Sequence, residues 1–415
     1  MPSRDDIYLG IDIGSSKIAC VAGQYSEEKG WDIIGVGKSD ASGVRKGIIT
    51  NIEETISDFS ASLEQAERMA GMQFKHAVFG IGESNINSMT SKGVVAISRA
   101  DGEITEEDVN RVIEASKAVS VPTNFEILHI IPKSFTVDGQ EDIADPVGMT
   151  GIRLEVDTHM IISSTPALKH LRKCAEQLNL QIDAFVYSAF ATGELVLSNQ
   201  DKDLGVILAD IGSHTTEVAV FEEGNIIHTK IIPIGSNHLT NDLAIGLRTS
   251  LPVAEKVKIE AGNSDSESIT DDKEIDLKKI DPNEDQKVGK KFVAEICEAR
   301  LGEIFSLIKK DLKSINRDGM LPAGIILTGG GSGIPHITET AKDTLKLPAR
   351  NAKVNLNMVG LVDKLSDPIY TCSTGLMVWS RQTDSNKSGY TLPIDIKKIS
   401  QAGTKVRSWF RHFIP

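Results

Sequence analysis

The sequence predicts an α/β protein of two lobes, each built on the same β-β-β-α-β-α core, and three stretches carry that reading. Residues 204–210 are an apolar run ending in Asp210; Gly212 and Ser213 then make a turn, and a β-branched stretch from Thr215 to Phe221 returns. The same arrangement opens the chain, where residues 7–12 end in Asp12, the turn holds Gly14, Ser15, Ser16 and Lys17, and residues 18–22 return. Asp12 aligns with Asp210. In the third stretch, residues 323–334, a strand runs into Gly329, Gly330, Gly331 and Ser332 and then toward a helix.

These stretches have a chemistry in common. A tight hairpin after a buried strand presents backbone N–H groups to an anion, and glycine lets that backbone approach a phosphate closely. A carboxylate at the strand end can hold a hydrated Mg²⁺ facing the phosphates, which assigns Asp12 and Asp210 to the metal through water. Two hairpins face to face would clamp one nucleotide, and the glycine run suits an adenosine and its α-phosphate. Strand-turn-strand twice and then strand-GGG-helix, in that order, resembles the actin, Hsp70 and sugar kinase superfamily of ATP-binding proteins.

Composition narrows the classes. A chain of 415 residues has material for two to four domains. Lys and Arg total 45 against 58 Asp and Glu, and the formal net charge of −13 argues against nucleic acid as a partner. The charge is uneven, however: no acid follows Asp395, whereas Lys397, Lys398, Lys405, Arg407 and Arg411 do. The four cysteines are far apart and form no C-x-x-C pair, so they read as buried thiols of a reducing cytoplasm. No signal peptide precedes the first strand, and no apolar run reaches the roughly 18 residues of a membrane span.

Taken in order, a third strand at 31–38 precedes a helix read as starting from a capping box of Thr50 and Glu53, with Ile52, Ile56, Phe59, Leu63, Ala66 and Met69 inward. Residues 75–81 return as a short buried strand. From Ser84 the texture changes to a small α+β insertion: a strand at 94–97, a helix capped by Thr105, strands at 127–131 and 134–137, and a long strand at 151–162 with Ile152, Leu154, Val156 and Met160 on its buried side. Residues 121–132, 137–140 and 145–156 of this insertion are similar to the FtsA family, the actin homologues that anchor the bacterial division ring, and the likeness spans nearly the whole chain.

A helix with Thr165 as N-cap and Pro166 at its first position follows, then a strand at 182–187 and a helix at 188–197 bridging to the second half. The second half has a strand at 225–234, helices opening at Ser236 and Pro252, an acidic, Ser-rich hairpin at 262–287 with a strand-like piece at 274–277, and a long helix at 286–315. That helix is read with Phe292, Ile296, Ala299, Ile304, Leu307, Ile308 and Leu312 inward and Lys290, Lys291 and Arg300 outward. After the glycine run come a helix with Ile337 and Ala341, two short strands and a helix at 368–381. Residues 382–389 read as a polar linker. In the tail, Val406, Trp409, Phe410, Phe413 and Ile414 fall on one helical face, with Lys405, Arg407, Arg411 and His412 on the rest.

The family resemblance implies an actin-like two-lobed fold: a first-lobe core (1A) at 1–83 and 163–200, an FtsA-type inserted subdomain (1C) at 84–162, a second-lobe core (2A) at 201–235 and 316–381 with a small subdomain (2B) at 236–315, a linker at 382–403 and an amphipathic membrane-targeting helix at 404–415. It implies ATP and Mg²⁺ as cofactors, held by Asp12, Gly14, Ser15, Ser16, Lys17, Asp210, Gly212, Ser213, Thr215, Glu255, Lys258, Gly329, Gly330, Gly331 and Ser332, with Glu255 and Lys258 near the ribose and adenine. It also implies polymerisation with other copies, capture of the FtsZ C-terminal tail peptide by Lys290, Lys291 and Arg300, recruitment of other division proteins through the insertion, and peripheral attachment to anionic lipid on the cytoplasmic side of the membrane at the division site. Two departures stand out. Ser213 and His214 occupy places where the family has glycines, so His214 either crowds or faces away from a phosphate, or contacts one. At the strand-to-helix step where the superfamily orients the attacking water, Tyr187 and Ser188 are neither acid nor amide, so hydrolysis is expected to be weak or absent. A PilM-like pilus scaffold and a small-molecule kinase are the alternatives within the superfamily; the basic amphipathic tail speaks against the first, and no candidate catalytic Asp is found for the second.

Overall fold

The computed structural model describes residues 7–270, 273–354 and 356–384. Strands β1 (Ile7–Ile13), β2 (Lys17–Ser26) and β3 (Gly30–Asp40) form an antiparallel meander. A small hairpin of β4 (Val44–Arg45) and β5 (Ile48–Ile49) leads into α1 (Ile52–Ala70), and β6 (His76–Ile81) pairs parallel with β1. The insertion contributes β7 (Asn87–Ala96), α2 (Glu106–Ser116), β8 (Phe125–Val137), β9 (Gln140–Ile143) and β10 (Arg153–Ser164), a four-stranded sheet in the order β7-β10-β8-β9. The chain returns through α3 (Thr165–Gln177) and β11 (Gln181–Tyr187), and α4 (Ser188–Val196) and α5 (Asn199–Leu204) lead to the second lobe.

The second lobe repeats the plan with β12 (Val206–Ile211), β13 (Thr216–Glu222) and β14 (Asn225–Ile232), then α6 (Ser236–Leu247) and α7 (Leu251–Ala261). A hairpin of β15 (Glu274–Asp276) and β16 (Lys287–Gly289) precedes α8 (Lys290–Ser314), and β17 (Gly324–Thr328), α9 (Ile337–Leu345) and β18 (Ala349–Asn351) complete the core. The sheet orders run in parallel: β3-β2-β1-β6-β11 in the first lobe corresponds to β14-β13-β12-β17-β18 in the second. Strand β19 (Met358–Gly360) then crosses to the first sheet and pairs with β3, so the two short strands belong to different lobes. The last helix, α10 (Thr371–Asp384), also lies on the first-lobe sheet. A methyl group at Gly10 would stand 2.1 Å from the Ser373 carbonyl, so glycine lets α10 close on β1.

The first-lobe core continues onto one face of the second-lobe sheet through Leu208, Ala219 and Phe221, the second lobe buries a separate core around Leu239, Leu301 and Phe305, and the insertion has a third around Val109, Phe135, Leu154 and Met160. Several local readings change. Asn51, not Thr50, caps α1: its side chain accepts from the N–H groups of Glu53 and Glu54, while Thr50 Oγ1 donates to the Gly43 carbonyl. The strands at 127–131 and 134–137 are one strand, because the register against β10 shifts between Asp157 and Thr158, opposite Pro132 and Ser134, and an irregularity tolerates a proline. Ser164 rather than Thr165 stands at the N-cap of α3, and its hydroxyl is drawn to Glu83. Ile152 is 75% exposed, since β10 begins only at Arg153. Helix α8 starts at Lys290 because residues 287–289 pair with β15, and its buried face runs through Val293, Cys297, Leu301 and Phe305, leaving Phe292 45% exposed.

Candidate functional site

Both strand-end hairpins close in the same way: Gly14 N–H donates to the Lys17 carbonyl at 2.9 Å, and Gly212 N–H to the Thr215 carbonyl at 2.9 Å. The identical bond at matched positions comes from the shared D-x-G pattern, in which the buried strand delivers its carboxylate just before the turn. In the first hairpin the Lys17 ammonium lies 2.5 Å from Asp12 Oδ2. Burial alone would lower the Lys17 pKa, but the pull of Asp12, with Asp210 adding to it, leaves it raised. Ser15 Oγ accepts from Gly47 N–H at 2.7 Å, and the Ser16 carbonyl accepts from Ala41 N–H at 3.1 Å, which pins this turn to the segment around β4 and β5.

The second hairpin rests on α6. Ser236 and Asn237 donate their N–H groups to the carbonyls of Gly212 and Ser213 at 2.8 and 2.7 Å. The His214 ring is held between Ser213 Oγ at 3.1 Å and Asn237 Nδ2 at 3.3 Å. Burial lowers the His214 pKa, and His238, Arg45 and Lys46 lower it further. Arg45 and Lys46 belong to the first lobe, so the charge that His214 feels comes in part from across the cleft. Sequence reasoning missed both, because two cations in a short turn carry no pattern.

Asp12 and Asp210 act on one another across the cleft. Burial first, then the negative charge of Asp12, push the Asp210 carboxyl up to about 7, with Lys17 opposing. Gly329 adjoins this carboxylate: a methyl group there would lie 2.2 Å from Asp210 Oδ1. Its φ of +80° lies in the region that favours glycine. The glycine run leads into a single tight turn, Gly330–Gly333, and α9 begins only at Ile337, so no long helix starts at the glycines. Gly331 packs on Ile211, and Ser332 donates its hydroxyl to the Gly329 carbonyl at 2.7 Å. Glu255 and Lys258 make a compact cluster with Thr240: Lys258 Nζ reaches Glu255 Oε2 at 2.7 Å and Thr240 Oγ1 at 3.0 Å, and Thr240 Oγ1 donates to Glu255 at 2.5 Å.

Glu217 is the site residue that no motif announced. It lies in β13 directly opposite Asp210, and burial, then Asp210 and Asp12, push its carboxyl well above the usual range. Its Oε2 is buried without a hydrogen-bond partner, as are the hydroxyls of Ser188, Thr192 and Thr328. Thr328 sits opposite Asp210 in the β12–β17 ladder. Unpartnered polar atoms beside paired carboxylates and a cation fit a cleft that receives a hydrated, multiply charged ligand. Two carboxylates facing one cleft, Asp12 and Asp210, suit a cation that keeps most of its waters and shares phosphate oxygens; among the described residues no three His, Cys, Asp or Glu could hold a metal ion together.

The other predicted site residues lie elsewhere. Lys290, Lys291 and Arg300 are on α8, where Arg300 is bound to Asp242 and Glu303. Lys405, Val406, Arg407, Trp409, Phe410, Arg411, Phe413 and Ile414 lie outside the described residues. No described helix is long and apolar enough to cross a membrane.

The fold has relatives of known structure. The chain superposes on the PilM-PilN type IV pilus biogenesis complex with a TM-score of 0.65 at 13% identity, covering 89% of this chain and 97% of that one. It superposes on MreB5 of Spiroplasma citri bound to ADP with a TM-score of 0.55 at 13% identity, covering 92% and 99%. At such identities these matches establish the actin-like fold alone. Residues 83–162 match the SHS2 domain inserted in FtsA, and residues 207–375 match the family described as cell division protein FtsA. The cell division protein FtsA of Bacillus subtilis is 36% identical over 94% of this chain and 88% of its own length. That of Pseudomonas aeruginosa is 33% identical over 91% and 90%. That of Escherichia coli is 28% identical over 98% and 97%. With insertion, core and nearly full length all matched, the chain belongs to the FtsA family of cell division proteins.

Proposed function

We propose that this chain is an ATP-binding, filament-forming adaptor that tethers FtsZ filaments to the cytoplasmic face of the membrane at the division site. The observation that carries the nucleotide reading is the matched pair of hairpins, with Gly14 and Gly212 in the same hydrogen bond and Asp12 and Asp210 close enough to act on one another. ATP would lie between Gly14, Ser15, Ser16 and Lys17 on one side and Gly212, Ser213 and Thr215 on the other. Gly329, Gly330, Gly331 and Ser332, with Glu255 and Lys258, would take the nucleoside. Mg²⁺ would be held through water by Asp12 and Asp210, and it would supply neutralisation of the phosphate charge. Tyr187 is buried, with its hydroxyl donating to the Val218 carbonyl at 3.3 Å, which favours binding over turnover.

The partner assignments have their own support. On the small subdomain of the second lobe, Ile245 of α6 and Phe292 of α8 are exposed, a methyl group at Gly246 would lie 3.9 Å from the Phe292 ring, and Lys290 and Lys291 begin α8. Exposed apolar side chains with cations at the start of the same helix suit the FtsZ C-terminal tail peptide. A cavity of about 610 Å³ between the insertion and the first-lobe core, lined by Glu126, Leu128, Arg172, Asp183 and Phe185, suits recruitment of other division proteins. Like copies would associate through the actin-like lobes.

Titration calorimetry with ATP and Mg²⁺ tests the core of this reading. Asp210→Ala should weaken binding by about tenfold while the protein stays folded, since each 1.4 kcal/mol of lost interaction is one decade. Equal affinity in the two proteins would remove the proposed geometry.

A further inference from the structure

Three parts of the fold meet at Glu217. Its backbone is registered against Asp210, in the ladder that carries the second phosphate hairpin. Its carboxyl faces out of that lobe, near enough to the N–H of Ala189, in the first turn of α4, for that N–H to favour its charged form. The N-cap of α4, Tyr187, offers no side-chain acceptor, and the Glu217 carboxyl approaches this helix start from across the bridge. On its other side the carboxyl lies over Gly82, where an added methyl group would stand 1.9 Å from Oε1 and 2.8 Å from the carboxyl carbon.

Gly82 is the last residue before the clamp that seats the insertion. The neighbouring Glu83 is almost fully buried, and its Oε1 accepts from Ser163 Oγ at 2.5 Å and from Ser164 N–H at 3.1 Å. Residues 83 and 163–164 are the two crossings between the first-lobe core and the inserted subdomain. The root half of that subdomain touches the second lobe as well, where His159 Nε2 and Thr229 Oγ1 stand 3.1 Å apart and Ser88 Oγ donates to the Thr229 carbonyl at 3.4 Å. The insertion is therefore seated at a root beside Gly82 and, a few residues farther along β7 and β10, against β14.

We propose that Glu217 is a positioning residue that joins the second phosphate hairpin to the bridge helix α4 and to the root of the inserted subdomain, so that nucleotide in the cleft sets the lobe angle and the seat of the subdomain together. This rests on the nucleotide reading above. A glutamate has the reach to cross from strand to helix and the oxygens to serve as acceptor. A methyl group at position 82 displaces it, and Gly82 is outside the left-handed region, so alanine there disturbs the contact and not the backbone.

The test is a double-mutant cycle with two readouts. ATP affinity is measured by calorimetry. The interlobe distance is measured without nucleotide by spin labels on Lys29→Cys and Lys278→Cys, two exposed positions, the four native cysteines being buried. Gly82→Ala and Glu217→Ala should each weaken ATP binding by about tenfold and broaden the distance distribution, and Gly82→Ala should add less than about twofold in the Glu217→Ala background. Glu217→Gln keeps an acceptor for Ala189 and should stay near wild type in both. Simple additivity of the two variants, or a distance distribution untouched by either, overturns the proposal. If the unsubstituted protein binds no ATP while the distances show the coupling, the nucleotide reading falls and the mechanical link stands.

Discussion

Arg300 grips Asp242 through two hydrogen bonds, Nε to Oδ2 at 2.6 Å and Nη2 to Oδ1 at 2.8 Å, and its third nitrogen turns to Glu303. The guanidinium is thus part of the α6–α8 joint, and these two acids raise its pKa, the Asp242 hydrogen bond first. Charge reversal at Arg300 would place an acid beside two others and destabilise the small subdomain by about 1–2 kcal/mol, so any loss of peptide binding there is mixed with loss of fold. Reversal at Lys290 and Lys291 separates the two. It should weaken binding of an acidic, apolar peptide, more at low salt, and the melting temperature of the double variant, measured alongside, separates loss of binding from loss of fold. Fluorescence anisotropy at two salt concentrations checks this, and binding by the double variant equal to that of the unsubstituted chain at both concentrations would put the peptide elsewhere.

Gly10 is a packing glycine. Its missing side chain leaves room for the backbone of α10, with Ser373 O at 2.1 Å and Met377 N at 2.3 Å from where a methyl group would be. Gly10→Ala should cost about 1–3 kcal/mol, the range of an overpacked core, by pushing α10 off β1. A thermal melt reads the loss directly; an unchanged melting temperature would show that α10 is not seated as described.

Two buried histidines give the fold an acid limit. Burial holds His129 and His159 down to about 3, far below the ordinary value, and His129 Nε2 accepts from Tyr187 N–H at 2.9 Å. A depressed histidine pKa means that the unfolded chain binds more protons than the fold between about pH 6.5 and 3, so stability is present above that window and is lost as pH falls through it, at up to about 1.4 kcal/mol per unit for each group. Asp210, raised to about 7, acts with the opposite sign: its contribution is present at low pH and is lost as pH rises toward 7. Comparing variants isolates the histidines. In urea unfolding at pH 5 and pH 7.5, His129→Gln with His159→Gln should lose less stability on acidification than the unsubstituted chain. An unaltered difference between the two pH values would contradict their burial as neutral rings.

The hairpins were legible because a buried strand ending in D-x-G is local: Asp12, Gly14 and Lys17 sit within six residues, as do Asp210, Gly212 and Thr215. What was illegible is relational. Glu217 is one of two glutamates in β13, a strand otherwise of Thr, Val, Ala and Phe, and only its register against Asp210 and the approach of Gly82 make it a site residue. Phe292 reads as core because it continues a helical stripe, yet the partner surfaces select the stripe through Val293 and Cys297. Thr50 and Asn51 are both good caps in isolation, and the Gly43 carbonyl takes Thr50 out of the competition. That α10 would close on the first-lobe sheet is written in Gly10, but no pattern around Gly10 distinguishes a close approach from an ordinary strand glycine.

The tail is the physical basis of the adaptor reading. Helix α10 is described to Asp384, and Val406, Trp409, Phe410, Phe413 and Ile414, which the sequence places on one helical face, follow about twenty residues later, outside the described residues. At about 1.5 Å per residue, residues 404–414 would extend some 16 Å as a helix, about half of a bilayer core, so they suit the interface and not a crossing. Burying two Phe, a Trp and two aliphatic side chains would contribute several kcal/mol, and Lys405, Arg407 and Arg411 would add about 1 kcal/mol each near anionic lipid. Helix ordering on binding would take back part of that, so that one tail would bind weakly and reversibly and an array of tails on a filament strongly by avidity. Deleting residues 404–415, or replacing Trp409 and Phe410 with Glu, should abolish sedimentation with vesicles containing anionic lipid, while sedimentation of the full chain should fall with salt and rise with protein concentration. ATP affinity should be the same in all three proteins, because the cleft between Asp12 and Asp210 owes nothing to the tail. A truncated chain that still pellets with the vesicles would place the membrane contact in the body of the protein and remove the tail from the mechanism.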